Sequence, residues 1–572
     1  MISYNFKTYN ELFFHIVNNY ENSKFLNYLQ DGKYVNISIQ EFELRVKYLA
    51  LALNDIGIKK SDNVAIFAKS SPFWLIFDFA IHLLDAISVP IFDNISTKNL
   101  EFEIEDSNIN YIFTDCSKRI KEINKEVTYI TYGFYINRKN TYSLDSLFIL
   151  GERLYNQNEN KDFFDCISAD EQSLFSVIYT SGNTGTPKGV ELTNENVISQ
   201  LQDINEIFYL DEKQSALSIL PLAHIFERTV MSYYLSKGMS IYFVDDIQNI
   251  SNLLKIVKPT TMTVVPRLLE KIYSKIQENI SAKPILSKTL GILAFRYATY
   301  FESKGLIYKI FDKLVYSKFR EIFGSRIEQL VCGGAALDKD IYRFFINIKI
   351  PLYQGYGLTE FSPVICTNTP NFSKIGSCGK ALPSVEVKIS EENEILVRGK
   401  ALMKGYRNQE DLTNKTIING WLHTGDIGKI DEEGYIFVES RLKDVVKTST
   451  GEYVPTLKIE QALTKNRYIE FATVIANNRK FVSCLIFVNK DFYNQSKTKL
   501  TIEEFYNQSY ITKSIDKTVQ KVNKKLDKAQ KVKEYRIITN EISIQTGELT
   551  PSMKISKVNI EKKYEQIINQ MY

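Results

Sequence analysis

Residues 179–189 read Tyr-Thr-Ser-Gly-Asn-Thr-Gly-Thr-Pro-Lys-Gly, and the apolar stretch Phe175 to Thr180 leads into them. Gly182 and Gly185 carry no Cβ, so backbone N–H groups there can close on an anion. Thr180, Ser181, Thr184 and Thr186 add hydroxyl donors, and Lys188 adds a point charge. Such a set suits phosphate binding. The spacing is neither of the two common glycine signatures. The Walker-type loop needs Ser or Thr after its lysine, whereas Lys188 is followed by Gly189, and the run does not fit G-x-G-x-x-G. The competing reading is an ordinary Ser/Gly surface loop, and the density of donors weighs against it.

Further segments extend the pattern: LPLAHIFER (220–228), VPRLLEKIY (265–273), CGGAAL (332–337), YQGYGLTE (353–360), NGWLHTGDIG (419–428), RLKDVVKTSTGEYV (441–454) and LTPSMKISK (549–557). In this order and spacing, and together with YTSGNTGTPKGV, they resemble the AMP-forming, adenylate-forming superfamily. That superfamily includes acyl-CoA synthetases, peptide-synthetase adenylation domains and luciferases. LPLAHIFER, VPRLLEKIY and the NGWLHTGDIG block look most like long-chain fatty acid–CoA ligases.

The resemblance implies an ATP-dependent conversion of a fatty acid to its acyl-adenylate, followed by transfer to CoA. It implies that Thr359 contacts the α-phosphate and that Glu360 holds Mg²⁺, with Thr180 contributing. One protein carboxylate is enough for a cation that otherwise takes phosphates and water. Tyr356 resembles the ring that stacks on adenine, within the run Gln354, Gly355, Tyr356, Gly357. Gly333, Gly334 and Ala335 resemble the backbone lining the base. Asp426 resembles the carboxylate that accepts the ribose hydroxyls, and Arg441 a second ribose or phosphate contact. Lys554 matches the lysine that bridges the attacking carboxylate and the α-phosphate.

Each carry-over has a plainer counterpart. Glu360 suits a helix start, Asp426 a turn before Gly428, and Lys554 a solvated charge in a basic tail. His224 is either an acyl-pocket gate or a buried hydrogen-bonded histidine. Met231 and Val264 are either acyl wall or plain core. Three positions depart from the long-chain pattern: Ser440 where Asp is usual, Thr450-Gly451 where Gly-Gly is usual, and Lys557 where Arg is usual. The implied domains are an adenylation domain over 1–440, a hinge over 441–443 carrying Lys443, and a mobile C-terminal domain over 444–572 carrying Lys554. In that scheme the Thr448 to Val454 loop, with Gly451, lines the CoA tunnel in the second half-reaction. Two alternatives stay open on the same motifs. One is an acyl–acyl-carrier-protein synthetase or acyl-AMP ligase, and the other is a catalytically quiet lipid-binding scaffold.

Composition narrows the class. Among 572 residues, 71 basic and 67 acidic side chains give a net charge of +4, which argues against nucleic acid as the main partner. Six scattered cysteines without a C-x-x-C pair, and four dispersed histidines, do not suggest a zinc site. Nothing in Met1 to Tyr20 resembles a signal peptide, and a reducing cytoplasmic setting fits. Peripheral contact with a membrane is left open by the greasy substrate, and no anchor is visible in the sequence. The most apolar stretch, Phe73 to Phe92, contains Asp78, His82 and Asp85 and reads as a buried helix and strand rather than a membrane span.

The elements that must position these residues follow from hydrophobic patterning. Strands are expected at Asn63 to Ser70, Ala86 to Phe92, Tyr111 to Asp115, Val127 to Thr131 and Phe175 to Thr180. Helices are expected at Ser71 to Leu84 and Asn194 to Ile207. Further short strands fall at Ser218 to Leu220, Ser240 to Val244 and Thr261 to Val265, before a mostly helical stretch from Ser281 to Phe323. Val385 to Ile389, Glu394 to Val397, Ile427 to Ile430 and Tyr435 to Val438 read as a small β-rich subdomain with a hairpin turn at 431–434. A second α+β unit follows Arg441, and it includes a lysine-rich helix from Lys513 to Lys533 whose charges suit a solvated face. The fold class is therefore α/β: a large N-terminal domain of α/β lobes with a β-rich subdomain, and a smaller C-terminal α+β domain.

Overall fold

Helix Pro72–Leu83 shows how the N-terminal domain is built. Ser71 caps it by accepting the Trp74 N–H, proline occupies its first turn, and all twelve of its residues are buried. A helix apolar on every side needs cover on every side. In the computed structural model, which describes residues 4–157, 163, 164, 169–180, 186–302, 304–551 and 553–572, that cover is two large sheets. The first has eight strands and includes Asn63–Phe67, Ile87–Pro90, Tyr111–Thr114 and Leu174–Thr180. The second has nine and includes Leu26–Gln30, Ser240–Phe243, Thr261–Val264, Gln329–Cys332 and Leu352–Gly357. Helices Tyr9–Asn19, Ile39–Asp55, Pro72–Leu83, Asn194–Ile207 and Ile225–Leu235 send side chains into one core shared by both sheets.

Helix Ile225–Leu235 ties the sheets together through two adjacent residues. Glu227 accepts the Ser218 hydroxyl at 2.7 Å on the side of the nine-stranded sheet. Arg228 donates to Ser176 Oγ at 2.9 Å in the eight-stranded sheet, and makes a forked pair with Asp78 at 2.6 and 3.0 Å. Burial alone would raise the Asp78 pKa, but the Arg228 charge overrides it and holds the carboxyl low. Burial pushes His82, beside them, down and keeps it neutral.

The outer face of the nine-stranded sheet carries helices Pro266–Ser281, Ile285–Tyr300 and Lys339–Asn347 and the segment 305–323. A third, five-stranded sheet holds Glu386–Ile389, Glu394–Arg398, Trp421–Ile430 and Ile436–Arg441. The turn between the last two strands is closed by Asp431, which accepts the Glu433 and Tyr435 N–H groups. The C-terminal domain packs helices Thr456–Leu463 and Ser509–Asn523 on a three-stranded sheet, Ile469–Ile475, Val482–Val488 and Val532–Ile538.

Two expectations shift, and some elements lie outside them. The lysine-rich helix ends at Asn523, not Lys533, because the Asn523 side chain bonds both backbone groups of Val532 and starts a strand there. The strand expected at Ser218 to Leu220 lies at Ser215–Ser218, paired with Ser240–Phe243. Helices Tyr9–Asn19 and Ile39–Asp55 and the hairpin Leu26–Gln30/Lys33–Ile37 were not anticipated. No helix among the described residues is long and apolar enough to cross a membrane.

Candidate active site

Three parallel neighbours, Thr261–Val264, Gln329–Cys332 and Leu352–Gly357, end on the same side of the nine-stranded sheet. The crevice beyond the carboxyl ends of such strands is the ordinary ligand position in open α/β sheets. Here the chain leaves Cys332 through Gly333, Gly334 and Ala335, and leaves Gly357 into a single 3₁₀ turn, Thr359–Phe361. Two of the glycines are needed for different reasons. Gly334 sits at φ +85°, and a Cβ on Gly357 would lie 1.7 Å from the Pro363 carbonyl oxygen.

These turns form one wall of a cleft of about 2470 Å³ between the N- and C-terminal domains. Gln354, Gly355, Tyr356, Thr359 and Glu360 line it from the sheet side, with Gly333, Gly334, Ala335 and Gly357 beside them. Thr180 and His224 line it from the eight-stranded sheet and the shared helix layer, and Asp426, Arg441 and Lys554 close it. Residues widely separated in the chain thus converge on one space. Ser181, Gly182, Thr184 and Gly185 lie outside the described residues, as does the side chain of Lys443.

Asp426 is the most engaged group. It is 3% exposed, its Oδ2 accepts the Tyr356 hydroxyl at 2.7 Å, and its Oδ1 lies 3.2 Å from Arg441 Nε. Burial raises its pKa, with Arg441 opposing. Burial and then the adjacent carboxylate keep the Tyr356 phenol protonated. Glu360 accepts the Tyr406 hydroxyl through Oε1 at 2.8 Å, and its Oε2 has no partner among the described residues. The Lys188 ammonium sits 5.0 Å from the Tyr406 ring centroid, so Tyr406 joins the loop lysine to Glu360. No motif marked Tyr406. Only the antiparallel pairing of Gly405–Tyr406 with Glu191 and Val190 brings it there.

Lys554 crosses from the C-terminal domain, and its Nζ donates to the Gly334 carbonyl at 2.9 Å. The protein around the ammonium, and then Arg441, lowers its pKa, while the residue's remaining solvent access tempers the effect. His224 caps helix Ile225–Leu235, its Nδ1 accepting the Phe226 N–H at 3.2 Å. Burial and then the Lys554 charge push it down to about 4, so it faces the cleft as a neutral ring. It therefore has a structural bond and a cleft position at once.

Met231 and Val264 are fully buried in two different core clusters and are not among the residues lining the cleft, which agrees with the plain-core alternative rather than the acyl wall. The apolar lining comes instead from Phe208, Val230, Tyr233 and Val331. Gly451 lies outside the cleft, in the turn between Val445–Lys447 and Tyr453–Pro455, at φ +90°. Thr450 bonds Thr448 there at 2.9 Å. Lys557 donates to Thr456 Oγ1 at 2.5 Å and pairs with Glu460 Oε1 at 3.1 Å, so a lysine is accommodated where the family pattern has arginine.

Residues 13–407 match the family described as AMP-binding enzyme, and residues 443–572 match the AMP-binding enzyme C-terminal domain. Long-chain-fatty-acid–CoA ligase FadD15 of Mycobacterium bovis is 28% identical over 564 residues, which cover 95% of this chain and 93% of that protein. Long chain acyl-CoA synthetase 3 of Arabidopsis thaliana is 29% identical over 597 residues, covering 95% and 87%. The o-succinylbenzoate CoA synthetase of Bacillus subtilis, solved in complex with ATP and magnesium ion, superposes with a TM-score of 0.67 at 20% identity and covers 96% of this chain and 98% of its own.

Proposed function

Since this chain belongs to the AMP-binding enzyme family, we propose that it is an AMP-forming acid–thiol ligase that joins a long-chain fatty acid to CoA. The observation that carries this reading is Lys554. Its ammonium reaches across the domain boundary to the Gly334 carbonyl, in the cleft that also holds Thr359, Glu360 and Asp426. The acyl class comes from the long-chain relatives named above, which this chain matches over 93% and 87% of their length.

A carboxylate is a poor acyl donor. In the first half-reaction its oxygen bonds to the α-phosphorus of ATP and the bond to pyrophosphate breaks. In the second, the CoA sulfur bonds to the acyl carbon and AMP leaves. Charge on the α-phosphate oxygens must be met by fixed donors in a site that excludes water. Lys554 and Thr359 supply them. Asp426 accepts the ribose hydroxyls, exchanging part of its bonding with Tyr356 and Arg441, and the Tyr356 ring flanks the base. The glycine turn after Cys332 lets the base approach backbone. Lys188 and the loop before it hold the pyrophosphate half.

Glu360 fits a magnesium ligand, since one carboxylate oxygen is anchored by Tyr406 and the other has no described partner. Glu360 would hold Mg²⁺ with Thr180, and the ion would add Lewis-acid charge beside the phosphates. The apolar lining of Phe208, Val230, Tyr233 and Val331 takes the acyl chain, with the neutral His224 at its mouth. We place the working boundary at the hinge 441–443, with domains over 1–440 and 444–572. Rotation there would exchange Lys554 for the Thr448 to Val454 turn between half-reactions.

The test is a panel of fatty acids from short to long, scored by CoA-dependent AMP formation with purified protein and magnesium. Long chains are expected to give the highest kcat/KM. AMP formation that needs a carrier protein instead of CoA, or no pyrophosphate release with any acid, would overturn the reading.

A further inference from the structure

Helix Ile285–Tyr300 turns the wrong residues outward. Its inward side, Gly291, Ala294, Phe295, Ala298 and Thr299, is buried against the nine-stranded sheet and its helices. Its outward side presents Ile285, Leu286 and Leu293, with Leu286 88% exposed and Ile285 82%. The next segment repeats the arrangement. Tyr308, Phe311 and Val315 point into the same core, while Leu306, Ile307, Ile310 and Leu314 stand in solvent, Leu306 at 75%. Both segments bury their inner residues in one core and touch through Tyr297 and Phe311, which sets their outer faces side by side. Scattered exposed apolar residues are normal, but a contiguous set of this size is not.

The charge around this surface is one-sided. Residues 281–320 hold eight lysines and arginines against two acids, Glu302 and Asp312. Glu302 bonds Lys304, and Asp312 pairs with Arg320 and Lys349. Lys283, Lys288, Arg296, Lys309, Lys313 and Lys318 have no acidic partner among the described residues. The chain as a whole carries only +4, so this concentration is local. An apolar face rimmed by uncompensated cations has the chemistry of a helix lying in the headgroup region of an anionic bilayer. A second copy of the chain would set the same cations against each other across a two-fold axis, which disfavours self-association here. The position also matters, because Ser281, Ala282 and Tyr300 border the cleft that holds the candidate active site.

We propose that this surface docks the enzyme on anionic membranes, with helix Ile285–Tyr300 and the segment 305–314 lying in the interface, and so presents the cleft to acids held in the bilayer. The docking stands on its own observations. Only its use in acid delivery rests on the proposed substrate class.

The experiment is co-sedimentation of the full chain with vesicles of phosphatidylcholine alone, or with about a quarter phosphatidylglycerol. Wild type is expected to bind the anionic vesicles, with binding weakening as salt rises. L286S/L293S/L306S/I310S and, separately, K288Q/R296Q/K309Q/K313Q are each expected to lose at least about tenfold in partition. Both variants should keep the wild-type melting curve and wild-type pyrophosphate exchange with a short, freely soluble acid. Unchanged vesicle binding in both variants would overturn the proposal. So would a dimer in lipid-free solution that the serine variant dissociates, since that would assign the face to a second copy. Failure of CoA ligation with intact, variant-sensitive vesicle binding would count against the proposed reaction and leave the docking surface standing.

Discussion

Among the described residues the Lys554 ammonium makes one hydrogen bond, to a main-chain carbonyl in the cleft. A phosphate oxygen offers a stronger, charge-assisted partner at the same place, so the bond is one that substrate can replace. The Lys554→Ala variant is expected to lower ATP–pyrophosphate exchange by about a hundredfold or more, the scale of removing one transition-state donor. Conversion of synthetic acyl-adenylate and CoA to thioester should change less than about fivefold, because Lys554 has no assigned part in it. The opposite pattern would mean that another cation serves adenylation. At this scale the sequence was informative only through context. A lysine in a basic tail carries no mark of its own, and PSMKISK set it apart. Tyr406 shows the limit: its bond to Glu360 depends on a two-residue strand pairing that no local pattern encodes.

Among the elements, helix Ile225–Leu235 carries a measurable consequence of joining two sheets. Glu227 is fully buried, and its Oε2 has no hydrogen-bond partner among the described residues. Burial pushes its pKa up to about 8, so the folded protein holds the proton at neutral pH while the unfolded chain has already released it. Stability measured against an uncharged isostere therefore falls as pH rises from about 4.5 to about 8, and is level beyond. Glu227→Gln is expected to match wild type near pH 4 and to exceed it by on the order of 2–4 kcal/mol above pH 8. Denaturant melts across that range check it, and a constant gap at every pH would count against the buried-acid account. The same helix shows how much of the fold was legible. LPLAHIFER marked the segment only through its resemblance to a family motif, without showing it as a helix, and the apolar run 73–92 marked its neighbour through its composition. The Arg228–Asp78 fork joins residues 150 apart, and the lysine-rich helix stops at Asn523 through a bond to Val532, so neither has a local signal.

For the molecule as a whole, the contacts between the two domains in the described arrangement include partly exposed ion pairs: Arg267–Glu470 at 2.7 Å, Lys465–Asp338 at 2.5 Å and Lys271–Asp491 at 3.6 Å. Such pairs contribute about 0–1 kcal/mol each and weaken with salt, which suits the rotation proposed for the C-terminal domain. The double variant Lys465→Gln/Glu470→Gln is expected to reduce pyrophosphate exchange about two- to tenfold, the scale of those energies. Thioester formation from preformed adenylate should be unaffected, and equal loss in both assays would argue against separate domain arrangements. The interleaving of the chain has a consequence of another kind. Strand Leu26–Gln30 lies in parallel against Ser240–Phe243, and Asn27 donates to a carbonyl 214 residues further along. During synthesis at about 5–20 residues per second, that edge waits roughly ten to forty seconds for its neighbour to emerge. Throughout that interval the N-terminal helices lack the nine-stranded sheet, so the nascent chain must hold part of its largest apolar core open until the ribosome has passed the middle of the message.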